Sequence, residues 1–184
     1  MSRRSRAVPP SPFRYFNSSP EVIRLVVMMY VKYPLSLRNV EDLLAERGID
    51  ICHETVRFWW NRFGPMFAAE IRRKRVDHMR AYTPWRWHLD EVFVKINGAK
   101  HYLRRAVDHE TGRWLNNRAE NSQQPFRRRK RAMRRFRRMH TLQKFSAVHA
   151  SVHNHFKQER HLVSRDIYKE RRSAALAEWQ AVMG

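Results

Sequence analysis

Two carboxylates stand out by their surroundings. Asp90 lies within "WRWHLDEVFVKI", where by alternation His88, Asp90, Val92, Val94 and Ile96 share one face of a strand. An acid in mid-strand among apolar neighbours is either a buried carboxylate paired with an arginine or a metal ligand. Glu120 lies within "RWLNNRAENSQQPFRRRKRAMRRFRRMH". From Arg118 to Arg138 it is the single acid among ten Lys and Arg residues, so it is either an incidental surface charge or the group that does chemistry there. His149 and His153 stand four apart, as zinc ligands on a helix can. No acid separates them in an H-E-x-x-H arrangement and no cysteine is near, so core or phosphate-facing histidines are expected. The single cysteine, Cys52, excludes an internal disulfide and fits a reducing cytoplasm. It reads as a small residue at a helix start rather than a reactive thiol. The five glycines form no Walker or dinucleotide loop, and no Ser-His-Asp or Cys-His arrangement stands out.

Charge narrows the class of partner. The 184 residues carry a net charge of +21, with a pI near 11.4. A compact chain so charged repels itself and calls for a polyanion. Nucleic acid is the first choice and an anionic membrane surface the second, but the basic segments carry charge on every side and leave no clean amphipathic face. The apolar run "LVVMMYV" is far too short to span a bilayer, and no secretory signal pattern opens the sequence. Hydrophobic content of 42% supports a core, much of it from six Trp and ten Phe.

The elements that must position these groups follow from caps and periodicity. Residues 1–17, rich in Pro, Ser and Arg, read as a flexible basic arm. Ser19 as N-cap and Pro20 at the first helical position open a helix to about Lys32, with Val22, Ile23, Val26, Val27 and Tyr30 on one side. Pro34 stops it. Ser36 caps a second helix, with Leu37, Val40, Leu43 and Leu44 inward, closed by Gly48. A third helix is predicted from about His53 to Phe63, with Val56, Trp59, Trp60 and Phe63 inward, ended by Gly64-Pro65. Three short helices with a tight turn before the last describe a helix-turn-helix over 18–64. The outward face of the third helix carries His53, Thr55, Arg57, Asn61 and Arg62, types that suit reading DNA base edges and also suit a solvated helix face. Residues 65–84 read as a basic linker helix. Then "WRWHLDEVFVKI", Asn97-Gly98 and "KHYLRRAVDHE" predict a β-hairpin with a type I′ turn. From Met133 through Phe136, Met139, Leu142, Phe145, Val148, Val152 and Phe156, apolar residues recur every three or four positions, as one long helix or two in series. Pro125 kinks or restarts the helix after Glu120. A last helix begins near Ser164 with Ile167, Ala174, Ala175, Leu176 and Trp179 as its apolar residues.

Four long stretches, "YVKYPLSLRNVEDLLAERGIDICHETVRFWWNRFGP", "WHLDEVFVKINGAKHYLRRAVDHE", "GRWLNNRAENSQQPFRRR" and "LQKFSAVHASVHNHFKQERHL", strongly resemble transposases of bacterial insertion sequences, most closely the small replicative DDE transposases of the insertion-sequence-six family. The resemblance covers nearly all of residues 18 to 182. It implies an α+β, predominantly helical chain: a helix-turn-helix that binds the element's terminal inverted repeats, then an RNase H-like domain over 85–184. In that domain two Asp and one Glu hold two Mg²⁺ ions, which activate water or a DNA 3′-hydroxyl for attack on a phosphodiester. It further implies double-stranded DNA as partner, a homo-oligomer on that DNA and a cytoplasmic, nucleoid-associated location. Carried over by position, Asp90 matches the first catalytic aspartate and Glu120 the catalytic glutamate, both metal ligands. Arg127, seven residues later, matches the basic residue that meets DNA near the metals, and Arg128, Arg129, Lys130 and Arg131 extend that DNA-facing run.

The chain departs from the family in the interval between Asp90 and Glu120, which is 30 residues (120 − 90) where relatives have a far longer one. The text passes from "RRAVDHE" through Thr111-Gly112 straight into "RWLNNRAEN", omitting the strand that bears the second aspartate. Asp108, the remaining aspartate in the interval, matches a non-catalytic position. The expectation is an internally deleted transposase, its RNase H-like domain reduced to a β-hairpin plus C-terminal helices and its catalysis impaired. A non-enzymatic DNA-binding repressor or inhibitor derived from the transposase is the alternative.

Overall fold

The computed structural model describes residues 11–79, 87–96, 98–108, 124–129, 131, 136, 138–157 and 163–183, with side chains for all of these except 76–79, 87–92 and 103–108. Among them lie α1 (Pro20–Lys32), α2 (Leu37–Ala45), α3 (His53–Met79), β1 (Trp87–Ile96), β2 (Ala99–Asp108), α4 (Met139–Phe156) and α5 (Arg165–Gln180). Mostly helical, the chain adds to its helices one antiparallel two-stranded hairpin.

Local signals set most boundaries. The Ser19 hydroxyl accepts the Val22 N–H at 3.4 Å, with Pro20 opening α1. At α2, Ser36 and Asn39 exchange bonds in a capping box, the Asn39 N–H to Ser36 Oγ and the Ser36 N–H to Asn39 Oδ1, both 3.0 Å. Gly48 closes α2 at φ +72°, in the left-handed region a side chain disfavours, while the Ile49 N–H reaches back to the Leu44 carbonyl. Ser164 caps α5, its hydroxyl accepting the Ile167 N–H. Gly98, at φ +85°, turns the hairpin, whose register pairs Ile96 with Ala99, Phe93 with Tyr102 and Asp90 with Arg105.

The structure departs from the sequence reading at Gly64-Pro65. The pair does not end a helix: α3 runs through it for 27 residues, so the recognition-type helix and the basic linker are one element. Pro65 lacks the N–H that would bond to the carbonyl four residues back, that of Asn61. Lys144 of α4 donates to that same carbonyl at 2.9 Å, so the freed acceptor is satisfied from outside the helix. Gly64 serves packing. A Cβ there would lie 3.4 Å from Val148 Cγ1 of α4, an ordinary van der Waals contact, so α3 and α4 are close-packed at this point.

The helices share one core. Ile23, Val26, Val27 and Val31 of α1, Val40 and Leu44 of α2, Val56, Trp59, Trp60, Phe63 and Phe67 of α3, and Leu142, Phe145, Val148 and Val152 of α4 are all buried in it. Val94 and Ile96 of β1 join it, as do Trp179 of α5 and Val182 beyond it. Aromatic rings form its spine: Phe63 stacks on Phe67 at 5.8 Å, Phe67 meets Trp179 edge-on at 5.5 Å, and Trp60 meets Phe145 at 5.6 Å. Polar ties lock the C-terminal end onto the N-terminal helices. Arg24 Nε donates to the Val182 carbonyl at 2.7 Å, Trp179 Nε1 donates to the Arg24 carbonyl at 3.2 Å, and the Met183 N–H donates to Glu70 at 3.0 Å. The expected division at residues 84 and 85 therefore does not divide the core. A two-stranded hairpin offers the C-terminal helices little apolar surface, and they bury theirs on α1 and α3 instead.

One smaller expectation changes and one open alternative narrows. Residues 11–17 are not a free arm: Phe13 is buried, stacked on Phe63 at 5.1 Å, and Phe16 packs against Phe63 at 5.0 Å. The apolar series from Met133 is not one helix, because Arg138 is extended (φ −137°, ψ 140°) where α4 begins. Pro125 lies within the helical residues 124–129, and residues 121–123 before it lie outside those described. On α5, Ala175 and Trp179 are buried but Ile167 and Ala174 face solvent.

Trp179 ties α5 to α1 and α3 by ring packing and a hydrogen bond. Trp179→Ala should cost about 3–5 kcal/mol, read as a lower urea midpoint in a single unfolding transition. A separate early transition, with the rest unshifted, would show that the C-terminal helix is not part of the common core.

Candidate nucleic-acid interface

The exposed side of α3 is where the sequence reading places DNA contacts. Cys52 stands just before the helix, its carbonyl accepting the Val56 N–H and its thiol 3.3 Å from the Thr55 hydroxyl. The thiol is exposed, and the hydrogen bonds from Thr55, side chain first and then backbone, hold it below the ordinary thiol range. His53 is pinned by Glu41, which accepts both its backbone N–H (3.1 Å) and its Nδ1 (2.8 Å); Nε2 lies 3.5 Å from Glu54. Arg57 Nη1 reaches both Glu54 oxygens at 2.8 and 2.7 Å. Asn61 is engaged at both ends of its amide: Nδ2 donates to the Arg57 carbonyl at 3.0 Å and Oδ1 accepts from Lys144 at 3.2 Å. Arg62 lies over the Phe16 and Phe63 rings, 5.6 and 5.8 Å from their centroids. Arg57, Asn61 and Arg62 are exposed, while His53 and Thr55 are half-buried. All five predicted residues lie off the buried side of α3, which Val56, Trp59, Trp60, Phe63, Phe67, Ala68 and Ile71 form.

In the arginine run the structure separates what the sequence could not. Arg127, Arg128 and Arg131 are exposed, Arg128 lying 3.4 Å from Gln124. Arg129 is 1% exposed and cannot be a DNA contact in this arrangement. Its Nε donates to the Tyr30 carbonyl at 2.7 Å, and its guanidinium sits 4.3 Å from the Tyr30 centroid and 5.4 Å from that of Phe145. Neither Nη atom has a hydrogen-bond partner. Burial lowers the Arg129 pKa, and burial likewise raises that of the Tyr30 phenol against the pull of Arg129. The reason is positional: a helical stretch starting near Pro125 puts Phe126 and Arg129, three apart, on the side facing α4. Lys130 lies outside the described residues.

The carboxylates are less fully placed. Asp90 is in mid-β1 opposite Arg105, on the face where Val94 and Ile96 are buried; its side chain and Glu120 lie outside what is described. Among the described residues, no three His, Cys, Asp or Glu side chains gather as a metal site. His149 is a core residue, against Phe126 at 5.4 Å and stacked on His153 at 5.7 Å. Lys144 was not singled out in the sequence, and its only signal there was the helix-breaking proline whose vacated carbonyl it satisfies. No described helix is long and apolar enough to cross a membrane.

A family model described as a DDE domain matches residues 84–113 and 109–159. Over 112 residues the chain is 35% identical to the transposase for insertion sequence-like element IS431mec of Staphylococcus aureus, and 34% identical to the transposase for insertion sequence element IS257 in transposon Tn4003 of the same species. Both alignments take in 59% of this chain and 48% of the relative, so the chain spans about half the length of the curated relatives it matches. These likenesses support the resemblance to the insertion-sequence-six transposases that the sequence motifs carry. No solved structure matches it.

Two outcomes follow from this geometry. Alkylation of Cys52 by iodoacetamide should show its pH midpoint below that of an ordinary thiol, and Thr55→Ala should move the midpoint up; an unmoved midpoint would show that Thr55 does not stabilise the thiolate. Arg129→Met removes a buried cation with no ion-pair partner among the described residues but leaves the Tyr30 carbonyl without its donor, so the variant should lose less than about 3 kcal/mol, the range for one unsatisfied buried acceptor. A loss of 3 kcal/mol or more, in the range of about 3–5 kcal/mol for breaking a buried pair, would mean that the guanidinium is paired.

Proposed function

We propose that this chain is an internally deleted transposase that keeps DNA binding through a helix-turn-helix built on α2 and α3, with strand transfer lost. The observation that carries this reading is the two-piece DDE match, whose segments meet at residues 109–113, where the sequence passes directly from the end of β2 toward Glu120. The 30 residues from Asp90 to Glu120 (120 − 90) hold one further aspartate, Asp108 at the end of β2, which the family resemblance gives a non-catalytic position. Asp90 and Glu120 are two of the three carboxylates a two-metal centre needs, and Mg²⁺ demands near-ideal octahedral oxygen ligands. The donor set therefore does not fit that centre.

What remains suits recognition of double-stranded DNA, the terminal inverted repeats of the element being the natural target. A net charge of +21 supports the general affinity, and the exposed face of α3 with Arg127, Arg128 and Arg131 supplies cations for phosphates. The shared core favours a regulatory role. It holds α3 rigidly without a complete catalytic domain, so the chain would occupy element ends and block an intact transposase.

The test uses duplexes taken from the DNA flanking the coding region, with random duplex as reference and Mg²⁺ or Mn²⁺ present. Binding to one flank should exceed random duplex by about 10³-fold or more at physiological salt, with no strand cleavage. Cleavage abolished by Asp90→Ala or Glu120→Ala would overturn the loss of catalysis. Equal binding to every duplex would replace specific recognition by general coating of nucleic acid.

A further inference from the structure

Along the exposed face of α3, charge is unevenly distributed. At its N-terminal end Glu41 and Glu54 bracket His53, and Glu54 also takes Arg57. Two carboxylates and one guanidinium make that end unfavourable to phosphates. One turn further on, the face meets α4. Lys144 bonds to the Asn61 carbonyl at 2.9 Å and to Asn61 Oδ1 at 3.2 Å, with its ammonium 5.6 Å from the Trp60 centroid. Gly64 faces Val148 one turn beyond, so the helices run in the same direction through this seam. Helical spacing then sets the exposed His140, four residues before Lys144, on the same stripe of α4. Among the described residues no carboxylate forms an ion pair with Lys144 or with Arg62.

We propose that duplex DNA is met along this α3–α4 seam, with Lys144 as a phosphate contact, and that Asn61 orients Lys144 instead of reading a base. This rests on the reading of α3 as the DNA-facing helix. An asparagine that reads adenine must present both its acceptor and its donor to the base edge. Here Oδ1 is given to Lys144 and Nδ2 to the Arg57 carbonyl. An ammonium has three donors, of which Asn61 takes two; the third is left for an acceptor on the solvent side of a half-buried residue. The missing N–H of Pro65 fixes the arrangement, because it leaves the Asn61 carbonyl open to a donor from another helix. Lys144 thereby brings a cation from the C-terminal half of the chain onto the recognition face.

Salt-titrated binding of the full chain tests this with the flanking-DNA duplex and a random duplex. Lys144→Met should weaken binding to both alike, leave their ratio unchanged, and reduce the magnitude of the log–log salt slope by about 0.9, the value for one phosphate. Lys144→Arg, which keeps the charge, should retain the parent slope. Asn61→Ala should leave the ratio of flanking to random binding unchanged. A parent slope in Lys144→Met would overturn the phosphate contact, and a fall of about tenfold in the ratio for Asn61→Ala would overturn its positioning role. Should Lys144→Met fail to fold, judged by its helical circular dichroism, Asn61→Ala and Lys144→Arg carry the test. A parent chain that binds no duplex would overturn both this inference and the DNA-binding function; parent binding with an unaltered Lys144→Met slope overturns the inference alone.

Discussion

The contact between α3 and α4 at Gly64 is the constraint on which the rest of the fold depends. At Gly64 the α3 backbone lies against Val148 of α4, whose Cγ1 would be 3.4 Å from a Cβ at this position. That approach brings Phe145 onto Trp60 and Lys144 onto the carbonyl that Pro65 leaves open. A helix carrying a proline in its interior would ordinarily lose about 3 kcal/mol. Here a bond from a neighbouring helix and an aromatic core on the opposite side offset the loss, and α3 stays continuous for 27 residues. Continuity matters because α3 then serves two regions, Trp59, Trp60 and Phe63 in the N-terminal helices and Phe67 against Trp179.

The small hairpin accounts for where the C-terminal helices lie. A helix with one apolar stripe must bury it against another layer, and a full sheet would provide that layer. The hairpin supplies Val94 and Ile96 to the core and leaves Phe93 and Tyr102 paired with each other outside, 4.6 Å apart. α4 and α5 therefore pack on α1 and α3, with Arg24, Glu70 and Trp179 fixing the chain's far end by hydrogen bonds. A transposase-derived segment is in this way drawn into one body with the helices proposed to bind DNA.

Charge is distributed by this packing as much as by composition. Three consecutive arginines, Arg127 to Arg129, look alike in sequence, yet two face solvent and the third lies between Tyr30 and Phe145. At the start of α3, Glu41 and Glu54 neutralise residues that the sequence offers as base readers. The cations left for phosphates are set by which carboxylates fold beside them.

The sequence by itself determined whatever depends on neighbours along the chain. Ser19, Ser36 and Ser164 as caps, Gly48 at a helix end and Gly98 in the hairpin turn all act within a few residues, so their chemistry is legible without the fold. The buried sides of α1 to α3 were equally legible, since helical period alone selects Val26, Val40 and Phe63. Family kinship was carried by the motifs around Asp90 and Glu120, and the shortened interval between them is countable in the text. Tertiary structure decided the rest. Gly64-Pro65 reads locally as a helix stop, and only a lysine 79 residues further on (144 − 65) makes it a passage. Phe13 in the basic arm and Arg129 in the arginine run each changed role for the same reason. Their environments come from helices distant in sequence, and no local propensity records a contact that forms only when those helices pack.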